Sequence, residues 1–249
     1  WATISHAEQH VPDTSLILVK PGAYHGQVVL TEQFPQGITI RAENAYQSRL
    51  YNDKTVVICF LCQGITLEGF DISHASEDAE RYVIQIQDLS DDQSGGRRVT
   101  LFNNIIHDSY NNDLLKVNNG ATHINIIGNM FYNMGGPELD SHIDANSVSH
   151  VLIEENIFFN DFAGSSRENR NDTGSYVVIK DSNGEDDIYL GSQNITVRRN
   201  IFLNWEGESN NSFLVVGEDN VPYFQAKTVL IEHNLMLGNS SNVMRAAMH

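Results

Sequence analysis

Five short segments of this chain alternate apolar and polar residues: YVIQIQD, LLKVNNG, HIDANSV, YVVIKDS and FLVVGED. In a strand, successive side chains point to opposite faces, so aligning the apolar positions reveals what the other face carries. With Leu115 set against Ile143 and Ile179, the outward row reads Lys116, Asp144, Lys180. Beside it run Leu114, His142 and Val178 on one side and Asn118, Asn146 and Ser182 on the other. Arg245 extends the first row, and Asp113 and Asp140 lie at the strand approaches.

These residue types suit β-elimination on a uronate chain. That reaction needs the C5 carboxylate neutralised, the C5 proton removed and the leaving oxygen protonated. Lysine, arginine, or Ca²⁺ held by Asp and Asn oxygens supplies the neutralising charge. A lysine of depressed pKa, or His142, can serve as base. The same row also reads as a cross-strand ion-pair ladder, worth about 0.2–1 kcal/mol per pair. An aspartate between two lysines raises their pKa values, which opposes a lysine base. Asp113, Asp140 and Asp144 could equally supply the two carboxylates of a glycoside hydrolase. His74, His107, His123, His150 and His233 are read at turns without metal-ligand spacing, so no zinc site is expected.

Such a row exists only if the chain returns to the same place at regular intervals, and a repeat shows that it does. VTLFNNII, INIIGNMF, VLIEENIF, ITVRRNIF and VLIEHNLM share a strand ending in Asn followed by two apolar residues. The asparagines are Asn104, Asn129, Asn156, Asn200 and Asn234, spaced by 25, 27, 44 and 34 residues. ITLEGFDI fits the same frame with Phe70 at the Asn position. Stacked coils that share one long core produce this period. At the turns, Asn tolerates the left-handed conformation, and its amide can bond the equivalent amide one coil away. Helical patterning is confined to ATISHAEQHV, read as a short N-terminal cap. Residues 76–96, 161–175 and 183–193 read as loops projecting from the stack and walling a groove.

The opening SLILVKPGAYHGQVVL, then ITIRAEN, then VVICFLCQGITLEGFDISHA resembles the first coils of the pectate-lyase-like superfamily. Within it, the chain is most similar to the chondroitinase B and alginate lyase group. The resemblance implies an all-β, right-handed, single-stranded parallel β-helix over residues 1–249, with eight to ten coils at the observed period. It also implies Ca²⁺ and a Lys or Arg base: Lys116 or Lys180 as base, and Asp113, Asp140 and Asp144 as Ca²⁺ ligands. The Glu-rich, Lys-Ser and Arg-His-Gly catalytic signature of that group is not present in legible form.

Composition bounds the partners. Fifteen Lys and Arg stand against 32 Asp and Glu, a net charge of −17. That balance disfavours nucleic acid and anionic membranes, and no apolar run is long enough to span a bilayer. Cys59 and Cys62 are read as buried packing thiols, because strand geometry would point them to opposite faces. The final SNVMRAAMH lacks a polar cap, so a longer natural chain or end-to-end self-association is expected there. The expected function is a secreted or cell-surface lyase acting on an acidic polysaccharide. A non-catalytic adhesin or self-assembling β-helix is the first alternative, and a glycoside hydrolase is the second.

Overall fold

The computed structural model describes residues 1–89, 95–135, 140–169, 173–182, 191–204, 212–217, 224–238 and the backbone of 246–248. Among the described residues the strands form three parallel sheets of eight strands each, and every third strand in sequence joins the same sheet. The architecture is a right-handed parallel β-helix. Each coil contributes one strand to each sheet, as Thr122–Ile127, Met130–Met134 and Ile143–Asn146 do in turn.

Alternation explains the core. Ile38, Ile65, Val99, Ile124, Val151 and Ile195 occupy one inward column of the first sheet, paired coil to coil. In the second sheet Phe131, Phe158 and Phe202 stack with ring centroids 5.1 and 4.9 Å apart. No coil could bury these groups alone; its neighbours above and below do so. At the N-terminus, helix Ile4–Glu8 covers the first coil, with Thr3 Oγ1 accepting the His6 N–H at 3.1 Å. Among the described residues no helix is long and apolar enough to cross a membrane.

The repeated asparagines stack as a column. Oδ1 of Asn129, Asn156, Asn200 and Asn234 each accepts both the main-chain N–H and the side-chain amide of the preceding asparagine, at 2.9–3.1 Å. Phe70 occupies the next position, its N–H donating to Asn104 Oδ1 at 3.0 Å. The left-handed backbone, however, belongs to the residue before each asparagine: Asn103, Gly128, Glu155, Arg199 and His233, with φ from 51° to 68°. The preceding residue makes the bend, which leaves the asparagine itself aimed inward.

Cys59 and Cys62 form a disulfide with Cα atoms 5.2 Å apart, which corrects the free-thiol reading. Strand Val57–Cys59 ends at the first cysteine, so alternation no longer governs the second. The chain bends through Phe60 and Leu61, and both sulfurs finish inside the core.

Candidate functional site

The third sheet places the anticipated lysines and aspartates together, in a different register from the one expected. Lys116 pairs with Asp144, but Asp144 pairs with Val178, and Lys180 lies opposite Asn146. The outward rows are therefore Gln85, Lys116, Asp144, Val178, Val215 and Gln87, Asn118, Asn146, Lys180. A two-residue slip keeps the same residues inward, so the alternation pattern cannot detect it. Lys180 still reaches across, with Nζ 3.8 Å from Asp144 Oδ2.

Lys116 is the centre of the cluster. Its Nζ lies 2.5 Å from Asp144 Oδ2 and 3.8 Å from Asp113 Oδ2, with its side chain only 11% exposed. Burial alone would favour the neutral amine. Asp144 and then Asp113 outweigh it and raise the Lys116 pKa above its ordinary value, so the group is an ammonium. Burial, reinforced by Asp144, pushes the Asp113 carboxyl well above the usual carboxylate range, against the pull of Lys116. Asp113 also accepts the Ser141 N–H at 2.7 Å. Tyr82 leans over the cluster, its ring centroid 5.9 Å from Lys116 Nζ, and burial raises its phenol.

His142 is not part of this surface. It is fully buried and stacks on Tyr176 at 4.2 Å, and its Nε2 lies 3.1 Å from Asn160 Oδ1. Burial drops its pKa to about 3, so it is a neutral core side chain and no longer a candidate base. The sequence alignment placed it beside the row because HIDANSV continues the alternation; Tyr176, not Val178, is its neighbour in the next coil.

Asp140 lies near enough to act on Asp113 electrostatically, and its carbonyl accepts the Gly174 N–H at 2.8 Å. Arg245 lies outside the described residues. Among the described residues no group of three or more His, Cys, Asp or Glu side chains is gathered to hold a metal. Asp113, Asp140 and Asp144 do not fit a Ca²⁺ site in this arrangement, because the Lys116 ammonium stands where two of the three carboxylates converge.

A second cluster escaped the sequence reading. His107 is not at a turn: it lies within strand Ile105–Ser109 and faces outward from the second sheet. Its Nδ1 is 2.7 Å from Asp108 Oδ2 and its Nε2 2.9 Å from Asp71 Oδ1. Burial would lower its pKa, but hydrogen bonds to Asp108 and Asp71 overcome this and raise it. Asp108, whose own burial is outweighed by His107 and Arg167, falls to about 2. Arg167 binds Asp108 Oδ1 at 2.9 Å and the carbonyls of Asn133 and Ser109 at 2.7 and 2.8 Å. It thereby straps the loop after Phe159 onto the second sheet. With both ring nitrogens taken by carboxylates, His107 serves as a clamp rather than a base. The one signal in the sequence was the outward place of His107 in IIHDS.

No family model matches the chain, and no curated protein does. Among solved structures, it is similar to the Streptococcus pneumoniae surface protein and adhesin PfbA. The identity is 12%, over 98% of this chain and 83% of that one, with a TM-score of 0.57. It is also similar to an alginate lyase from Paenibacillus sp. strain FPU-7. There the identity is 15%, over 99% of this chain and 95% of that one, with a TM-score of 0.52. At these identities the likeness is one of fold.

Proposed function

We propose that this protein is an extracellular, acidic-polysaccharide-acting β-helix that cleaves a uronate chain by β-elimination over its third sheet. The observation that carries the reading is the pair of lysines, Lys116 and Lys180, set around Asp144 on one outward, largely covered face. Lys116, held charged, stabilises the negative charge that builds on the uronate carboxylate as the C5 proton leaves. Lys180, 3.8 Å from Asp144, is the base. Asp144 opposes the loss of its proton, so the amine becomes neutral only when a chain lying over it removes its water and that desolvation, with the like charge of Lys116, outweighs Asp144. Tyr82, held protonated by burial, is the donor for the leaving oxygen. The chain supplies its own cation, and no step needs a metal.

The fold is shared by an alginate lyase and by a surface adhesin, so the chemistry of the site must decide between cleavage and adhesion. The buried disulfide suits an oxidising, extracellular compartment. One observation favours a second reading, glycoside hydrolysis: Asp113, its carboxyl held well above the usual carboxylate range, and Asp144 flank one ammonium, the pattern of an acid and its partner. The test is incubation with alginate, pectate and chondroitin-type chains, following unsaturated-uronate absorbance and reducing ends together. Elimination raises both, and hydrolysis raises reducing ends alone. No change in either, with binding retained, leaves the adhesin. Lys180→Ala should abolish turnover; a variant that still cleaves would remove Lys180 as base.

A further inference from the structure

Where the chain leaves the third sheet and enters the first, one backbone position is left-handed coil after coil. Arg98, His123, His150 and Asn194 hold it in four successive coils, with φ of 52°, 57°, 54° and 58°. Thr122 faces both Arg97 and Ser149, and Ile124 faces Val151, so His123 and His150 are direct vertical neighbours. Their rings stack at 4.6 Å and 9°, and Asn194 Nδ2 lies 3.3 Å from His150 Nε2. Arg97 sits beside Arg98 at the lower end. Arg98 is anchored by the carbonyls of Phe34 and Pro35 at 2.8 and 2.9 Å, bonds that fix its place without neutralising its charge.

The ridge is set apart by what it lacks. The eight residues at these two adjacent columns, Arg97 and Arg98, Thr122 and His123, Ser149 and His150, Gln193 and Asn194, include no carboxylate, in a chain with 32 Asp and Glu. The electrostatics agree: burial first, then His150, Arg97 and Arg98, hold the His123 pKa below its usual value, and among the described residues the charged neighbours acting on it are basic. Two stacked imidazoles could ligate a metal ion only without the adjacent guanidinium groups, which repel a cation. On a protein of net charge −17, such a ridge offers a polyanion basic side chains in place of carboxylates.

We infer that Arg97, Arg98, His123, His150 and Asn194 form a rail for a linear acidic polysaccharide lying along the helix axis. Successive coils offer a contact about every 4.8 Å, so affinity grows with the length of chain engaged. The rail lies one turn beyond the Lys116 row. It rests on the polyanion part of the proposed function and not on cleavage.

Affinity electrophoresis in gels containing alginate, polygalacturonate or a neutral glucan tests the rail, with circular dichroism as the fold control. The parent protein should be retarded in the polyanion gels alone, and less so as salt is raised. Retardation should strengthen as pH falls through the histidine range. There His123, facing His150, Arg97, Arg98 and Thr122, gains charge against the bound chain. Arg97→Ala with His123→Ala and His150→Ala should bind roughly tenfold more weakly, a loss of about 1.4 kcal/mol. Arg97→Glu alone provides the same test should the triple variant fail to fold. Parent-like retardation of both variants, or equal retardation by the neutral glucan, overturns the rail. A parent that is retarded but never cleaves refutes the lyase reading and leaves the rail standing.

Discussion

Lys116 and Asp144 sit 28 residues apart in sequence and 2.5 Å apart in space, an ion pair made across neighbouring coils. Both side chains are about nine-tenths buried, so breaking the pair leaves a charge with little water to stabilise it. Lys116→Met should destabilise the fold by about 3–5 kcal/mol in urea unfolding. Lys116→Met combined with Asp144→Leu should recover most of that loss, yet remain inactive on any uronate chain. A double variant that stays as unstable as the single one would show that the pair is not what holds this face.

The asparagine column makes a graded prediction. Asn156→Ala removes the acceptor for two donors of Asn129 and the amide that bonds Ile126 O at 2.8 Å. Leaving these groups unpaired inside the stack should cost about 2–4 kcal/mol. Asn234→Ala, at a partly buried position, should cost less, and parallel denaturation curves check the order.

Acid should weaken the fold through buried neutral histidines. Burial lowers His142 to about 3 and His74 to about 4, both from an ordinary 6.5. The unfolded chain takes up these protons first as pH falls below 6.5, so their stabilisation is complete above that pH and is lost on the way down to 3–4. His107 has the opposite sign: its pKa is raised, so its contribution is complete below the unfolded value and fades as pH rises through the folded one. Stability measured against pH should lose part of its acid slope in His142→Phe, and part of its alkaline decline in His107→Gln.

The disulfide closes a very short loop, so the chain-entropy gain is small. Cys59→Ala with Cys62→Ala should cost about 2 kcal/mol. Because both sulfurs are buried, thiol labelling after addition of reductant should require denaturant. Rapid labelling of the native protein would contradict the buried placement.

The features the sequence determined were those set by local chemistry. Alternation marked the inward residues of each strand, the spacing of Asn104, Asn129, Asn156, Asn200 and Asn234 marked the coils, and the helical patterning of ATISHAEQHV marked the cap. Each of these follows from what a strand, a turn or a helix end demands of the residues within it.

Tertiary structure decided who stands beside whom. Strand parity repeats every two residues, so Lys180 could slide from Asp144 to Asn146 without changing any inward residue. Cys62 turned back to Cys59 because the strand had already ended. His142 entered the core because Tyr176 and Phe158 offered it rings to stack on. His107 became a clamp only when its own coil brought Asp108, the coil before it brought Asp71 and a distant loop brought Arg167. Neighbours across coils depend on the register and on the lengths of the intervening loops, and neither is written in the residues that come to touch.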